Sequence, residues 1–366
     1  VATWRVINTD LKTGTVLGEL PVQDFSFADV LNSDGNFAVS LPLVTTTPTG
    51  RLTNDASAIQ ITEADLEPGA NALYFERDGA ILWGGIVWGV KGNVASNALA
   101  VSGAGFNSYF RRRYIRLDAT HSTVDQLDIA RAFIDNAQTV AEGSIGIGTT
   151  DSNTSGVTRD ITYNAYERKN VADALSQLAN VNGGFDYRFH SFRNGSGVIT
   201  TEFRVSYPAT GRTTNFVFEL GTNVQLLDFE FSGGALTNTV DAVGAGDGSD
   251  MLIRTAQNTA SLADKPLLES VLPLADVSAE ATLDTHAARA ITRGASNIKS
   301  LTVAVFGDEI PVLGSYVVGD QVEVRGDYGY ISLSSFYRIT SVGVTVGLDG
   351  TEQVNLSLVP LDVFVS

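Results

Sequence analysis

Short runs in which apolar and polar residues alternate, each closed by turn chemistry, recur along the whole 366-residue chain. A period of two sends successive side chains to opposite faces, so such runs fold as sheet and not as a helix bundle. Trp4-Arg5-Val6-Ile7-Asn8 is the first. Phe25-Ser26-Phe27 and Phe37-Ala38-Val39-Ser40-Leu41 follow, with Asn32-Ser33-Asp34-Gly35 as a turn between them. Asn71–Arg77 and Ile81–Trp88 flank Asp78-Gly79, a strong hairpin signal, and Asn97–Gly103 adds another strand. Residues 1–110 are therefore predicted to form a small β-barrel or sandwich.

Residues 111–212 change period. Ser122-Thr123 can cap a helix carrying Val124, Leu127, Ala130, Phe133, Ile134 and Ala137 at helical spacing. The Gly/Ser/Thr/Asn-rich stretch from Gly143 to Gly156 reads as a loop. Asn170 caps a second helix, with Val171, Ala174, Leu175 and Leu178 on one face, that stops at Gly183-Gly184. Phe185–Phe189 and Thr201–Tyr207 return to strand, so this block is predicted to be a mixed α/β domain. Residues 213–366 are strand-rich again: 215–220, 224–231, 237–243, 301–306, 321–325, 336–340, 342–346 and 353–358, with Leu348-Asp349-Gly350 as a hairpin turn. A helical insertion is predicted near 261–298, capped by Ser278, with Leu283, Ala287, Ala290 and Ile291 facing inward.

Composition excludes several chemistries. There is no cysteine, hence no disulfide, thiolate metal site or cysteine nucleophile. No apolar run reaches the roughly 18 residues of a transmembrane helix, so no membrane span is expected. Val1–Val6 lacks a basic segment leading an apolar one, so no signal peptide is expected, and the lack of methionine at position 1 suggests processing or trimming of the chain. A formal net charge of −17 argues against DNA binding as the main task, since duplex binding neutralises phosphates with Lys and Arg. Plain solubility accounts for the same charge.

His121, His190 and His286 are far apart and lack the spacing of a local metal site. A triad assembled in space stays open, but Asn194-Gly195-Ser196-Gly197 reads as a turn and not as a nucleophile elbow. In Gly244-Ala245-Gly246-Asp247-Gly248 the third glycine comes one residue early for a dinucleotide fingerprint, and no helix follows. Asp151–Gly156 begins like a calcium loop, yet its twelfth position is Thr162 instead of a bidentate glutamate. No catalytic, cofactor-binding or metal-ligating residue is assigned, and the chain is expected not to be an enzyme. Arg111, Arg112, Arg113 and Arg116, interleaved with Tyr109, Phe110 and Tyr114, form the one basic cluster. In a chain with 41 Asp and Glu it fits an interface with a carboxylate-rich neighbour better than nucleic acid.

Three stretches follow a recognisable order. Asp78-Gly79-Ala80-Ile81-Leu82-Trp83-Gly84-Gly85-Ile86-Val87 leads to Leu99-Ala100-Val101-Ser102-Gly103-Ala104-Gly105-Phe106 and Tyr109–Ile115. Gly183-Gly184-Phe185-Asp186-Tyr187 leads to Tyr207-Pro208-Ala209-Thr210-Gly211-Arg212. A helix ending near Asn297 and a strand from Leu301 lead to Val317-Val318-Gly319-Asp320-Gln321-Val322-Glu323-Val324. In this order, from about residue 70 to the end, the chain resembles the hub-forming minor tail proteins at the tail tip of long-tailed (siphovirus-type) bacteriophages of Gram-positive bacteria.

The resemblance implies a mainly β fold with α+β insertions: two tail-tube-like β-barrel domains and a mixed α/β domain in a phage tail hub architecture. It implies a structural virion protein whose trimer adapts the sixfold tail tube to a threefold tip around the DNA exit channel. The implied partners are further copies of the chain, the distal tail protein, the tail tube protein, the tape measure protein, and tip or receptor-binding proteins. The alternative is a carbohydrate-binding host-adhesin module of a phage tail, which would need a groove of exposed Trp and Tyr. Trp83 and Trp88 are expected on opposite faces of their strand. A cell-wall hydrolase would need a catalytic domain for which no residues are found.

Overall fold

The computed structural model describes residues 2–43, 65–181, 183–234, 236–294, 298–327 and 329–361. The first segment is all strand: β1 (Trp4–Asp10), β2 (Val16–Glu19), β3 (Asp24–Val30), β4 (Asn36–Pro42), β5 (Asn71–Arg77), β6 (Ala80–Asn93) and β7 (Ala98–Gly105). Asp78 and Gly79 join β5 to β6 with positive φ, 50° and 86°, the conformation whose twist matches the flanking strands.

Helices then alternate with strands: α1 (Asn107–Phe110), β8 (Ala119–Asp125), α2 (Gln126–Thr139), β9 (Ile147–Gly148), β10 (Thr158–Tyr163), α3 (Val171–Ala179), β11 (Asp186–Arg193) and β12 (Ile199–Ser206). The helix expected from Ser122-Thr123 begins only at Gln126. Those two residues lie in β8, which pairs with β10, and Asp125 is the cap, accepting the Leu127 N–H at 2.9 Å. The N–H groups of Ser155 and Gly156 also donate to the Asp125 carboxylate, each at 2.8 Å, and this fixes where strand turns to helix. Asn170 caps α3 as expected, accepting the Asp173 N–H at 3.2 Å, but the helix ends at Ala179, ahead of Gly183-Gly184.

The last segment holds β13 (Thr213–Glu219), β14 (Val224–Ser232), β15 (Thr239–Val243), β16 (Ile253–Gln257), α4 (Thr259–Asp264), β17 (Glu269–Pro273), α5 (Glu280–Gly294), β18 (Ile298–Phe306), β19 (Gln321–Asp327), β20 (Ser332–Val346) and β21 (Glu352–Pro360). The carbonyl of Ala279, and not Ser278, receives the first N–H groups of α5, from Thr282 and Leu283. Asn297 lies outside the described residues. The strand expected at 237–243 leaves the main sheet. As β15 it is the centre of a separate sheet, order β16-β15-β17, against which α5 packs Leu283 and Ala287 onto Ala242.

Among the described residues thirteen strands make one sheet, in the order β14-β18-β21-β20-β3-β4-β7-β6-β5-β1-β2, with β19 on β20 and β13 on β19. The two strand-rich halves are thus fused and not closed as barrels. β3 pairs antiparallel with β20, from Ser341 opposite Val30 to Val346 opposite Phe25. Pairing the two strands covers an open edge of each half and lets their apolar rows share one core. That core runs from Trp4, Phe25, Phe75 and Trp83 into Leu301, Val322, Val344 and Leu356.

All seven residues of β5 are buried. Leu73 and Phe75 face this first core, while Ala72 and Tyr74 face a second one built with α2, α3, β11 and β12. A strand covered on both faces has no polar face to show. Trp83 belongs to the first core and Trp88 packs on the second, on opposite faces as expected.

Candidate functional site at the fork of the sheet

One edge of β20 serves two strands: β19 takes Ser332–Arg338 and β3 takes Ser341–Val346. They diverge at Ile339 and Thr340. Gly319 N–H donates to the Ile339 carbonyl at 2.7 Å, Ile339 N–H to Asp320 at 2.9 Å, and Leu31 N–H to Thr340 at 2.9 Å. A fork inside a sheet leaves polar groups facing no ladder, and these must find partners or cost stability.

Arg338, 2% exposed, fills the gap. Its guanidinium pairs with the Asp186 carboxylate and donates to the Gly319 carbonyl at 3.2 Å and the Thr210 carbonyl at 2.9 Å. Asp186 opens β11 and also accepts from Asn32 Nδ2 at 2.7 Å and Thr210 N–H at 2.8 Å. Asn32, just past β3, accepts the Tyr187 N–H on its side chain at 2.7 Å and the Tyr187 hydroxyl on its carbonyl at 2.9 Å. Burial, with Asp34 adding, pushes the Tyr187 phenol up to about 12, so it stays a donor.

Asp320, 1% exposed, closes the other side. It accepts the N–H of Arg212 at 3.0 Å, Arg212 Nε at 3.3 Å and the N–H of Val317 at 3.2 Å. Two glycines permit this approach. Gly319 and Gly211 have φ of 95° and 93°, and a Cβ on Gly211 would stand 2.1 Å from the Gly319 carbonyl carbon and oxygen.

Two of the three stretches that carried the resemblance meet here: Asp186-Tyr187 with Thr210-Gly211-Arg212, and Gly319-Asp320. The sequence reading missed Arg338 and Asn32. The available signal for Arg338 was a charge inside the apolar run Phe336–Thr340, since a fully buried charge needs a partner.

β11 adds further links to the main sheet. Arg188 lies 3.7 Å from Asp29 of β3. The hydroxyls of Ser191, Thr201 and Tyr74 form a chain at 2.9 and 3.4 Å. Glu76 of β5 sits between Arg193, at 2.6 Å, and Arg5, at 2.9 Å. Burial pushes the Asp29 carboxyl up, and Arg188 works against it. His190 is pushed down to about 3, first by burial and then by Arg188 and Arg204. A second buried pair, Arg77 with Glu352 at 3.0 Å, joins β5 to β21, and Trp4 Nε1 donates to the same carboxylate at 2.6 Å.

The arginine cluster spreads over several contacts. Arg111 pairs with Asp34 at 2.6 Å, and Arg112 stands 4.0 Å above the Trp88 ring. Arg113 donates to the Ala137 carbonyl at 2.6 Å and lies 5.5 Å from the Tyr109 ring. Arg116 is exposed and has no ion pair among the described residues.

The histidines are not brought together: His121 meets Phe133 edge-on, His190 stacks on Phe192 and His286 lies on α5. Among the described residues no three His, Asp or Glu side chains form a metal-sized group. Asp151 accepts the N–H groups of Asn153 and Val205, each at 3.0 Å, and so braces its loop against β12. Asn194–Gly197 closes the β11–β12 hairpin, and Gly244–Gly248 runs from β15 into a short turn. Trp4 and Trp83 are buried and Trp88 lies under Arg112, so no tryptophan is left to line an open sugar groove. No described helix is long and apolar enough to cross a membrane.

No protein-family model matches the chain, and no curated protein matches it. Solved structures do. The 43 kDa tail protein of prophage MuSo2 from Shewanella oneidensis superposes with a TM-score of 0.66 at 13% identity, over 99% of this chain and 100% of that one. The tail protein from Neisseria meningitidis MC58 gives 0.62 at 14% identity, over 99% and 98%. The fold is that of phage tail proteins. Prophage tail protein gp18 from Listeria monocytogenes EGD-e shares it at a TM-score of 0.54 and 13% identity, over 96% and 94% of the two chains. The likeness to these tail proteins takes in nearly the whole chain, including the mixed segment and the small sheet as well as the main one.

Proposed function

We propose that this chain is a structural hub subunit at the tail tip of a long-tailed bacteriophage of Gram-positive bacteria, three copies closing a ring around the DNA exit channel. Its proposed units are residues 1–110, 111–212 and 213–366. The observation that carries this reading is the β3–β20 ladder within a tail-protein fold. It joins two strand-rich halves edge to edge, so each chain supplies two consecutive segments of one wall. Three chains would supply six, the number needed to meet a sixfold tube. The reading makes the protein non-enzymatic, places Arg111, Arg112, Arg113 and Arg116 at contacts between domains or subunits, and gives it the tail tube, distal tail, tape measure and tip proteins as neighbours. Averaging of tail-tip images tests it. Three copies in one ring are expected, and six copies would overturn it.

A further inference from the structure

Residues 111–116 run antiparallel beside 168–171. Tyr114 bridges Asn170, Ile115 N–H donates to the Lys169 carbonyl at 2.9 Å, and Val171 N–H donates to Arg113 at 3.0 Å. This register sets Arg116 and Arg168 at facing positions, with Lys169 next to them. Like charges facing each other repel unless an acid stands between them. The nearby acids bond elsewhere, Asp118 to the Ala165 N–H at 2.7 Å and Glu167 to the Asn164 amide at 2.8 Å, and among the described residues neither forms an ion pair with Arg116 or Arg168. Neither Arg116 nor Arg168 has an ion pair among the described residues, and both are exposed.

Beside this cationic rim lies a groove lined by Tyr114, Arg116, Leu117, Phe133, Ala137 and Val140. Leu117 in the groove is 80% exposed. Asp118 also lines the groove, so the surface is apolar at its centre, with one carboxylate on its wall and Arg116, Arg168 and Lys169 at its edge, on a chain whose net charge is −17.

The opposite pattern occurs on β14, the terminal strand of the main sheet. Leu226, Asp228 and Glu230 are exposed, and their spacing of two puts them on one face. Its outer edge is bridged only at its start, where Val224 meets Leu220, and no other strand among the described residues covers it. We propose that the groove at Tyr114–Leu117 is a docking surface for the β14 strip of a second copy of this chain, with Leu226 entering the groove and Asp228 and Glu230 meeting Arg116, Arg168 and Lys169. The inference rests on the hub reading only in that copies must meet.

The chain has no cysteine of its own, so introduced thiols report without background. Leu117→Cys together with Leu226→Cys, carried into purified tails and treated with a short bis-maleimide, is expected to give cross-linked oligomers that neither single variant gives. Arg116→Glu with Arg168→Glu should lower the yield about tenfold, because like charges then face each other across the contact. Adding Asp228→Lys with Glu230→Lys to the same chain should restore it. If the substituted chain does not enter tails, unmodified tails treated with a carbodiimide provide the second measurement, which must show Lys169 joined to Asp228 or Glu230 of another copy. Tails that hold three copies but yield neither cross-link overturn this contact and leave the hub reading standing. Tails without a threefold ring overturn the hub reading itself.

Discussion

Arg338 and Asp186 have given up their hydration, and each is the other's charge partner beside its hydrogen bonds to neutral groups. Removing one partner of such a buried pair costs about 3–5 kcal/mol, far more than the 0–1 kcal/mol of an exposed pair. Asp186→Ala is therefore expected to lower unfolding free energy by that amount in a denaturant titration. Asp186→Ala with Arg338→Met should recover much of the loss, since no charge is then left stranded. A single-variant cost below about 1 kcal/mol would show that the fork is held by its backbone bonds alone. His190 gives a pH dependence of known sign. Its folded value of about 3 lies below the ordinary 6.5, so the unfolded chain takes up the proton first as pH falls. Its contribution to stability is complete above about 6.5 and is lost on the way down toward about 3. Burial also lowers His121 and His286, which adds to the same slope. Between pH 7 and pH 5, wild type should lose more stability than His190→Gln. Equal losses would mean that His190 is protonated in the fold.

At the scale of the element, β5 is the clearest case of one strand serving two cores. Phe75 is fully buried, with ring centroids 5.3 Å from Phe25, 5.0 Å from Phe27, 5.6 Å from Phe37 and 5.9 Å from Trp83. Phe75→Ala should cost about 3–5 kcal/mol, the transfer loss plus the cavity left between strands that cannot collapse onto it. Its neighbour Tyr74 faces the other core, where its hydroxyl makes only a 3.4 Å contact with Thr201. Tyr74→Phe should cost about 1 kcal/mol or less. Thermal unfolding of the two variants checks this contrast, and similar losses would contradict the two-core account. β20 is read less well from sequence. It is one 15-residue strand where two short ones are expected, because its register against β21 shifts between Ile339 and Ser341 and leaves the strand unbroken.

For the whole molecule, the decisive property is how much of its charge is committed internally. Arg111, Arg112 and Arg113 already touch Asp34, Trp88 and the Ala137 carbonyl, and Arg116 stands beside an apolar groove. A duplex binder would instead offer its cations free to the phosphates. Filter binding of the pure protein to duplex DNA is expected to show no tight, steeply salt-dependent complex. Such a complex, lost uniformly as each arginine becomes Ala, would show that the cluster serves nucleic acid.

The sequence alone determined what depends on neighbours along the chain. The Asp78-Gly79 turn needs only two residues able to take positive φ, and the Asn170 cap needs only a side chain that reaches three residues ahead, so both are legible locally. The alternation in Phe37–Leu41 and Thr201–Tyr207 likewise reports one buried face. What tertiary structure decided is which edges meet. The hydrogen-bonding groups of an unpaired edge are the same on every strand, so no local pattern says that β3 joins β20 across some 300 residues, or that two halves merge instead of closing as barrels. The fork follows from that pairing. Asp186, Asp320 and Arg338 read as ordinary charges in the sequence, and only the divergence of β19 from β3 gives them a buried space to fill and one another as partners.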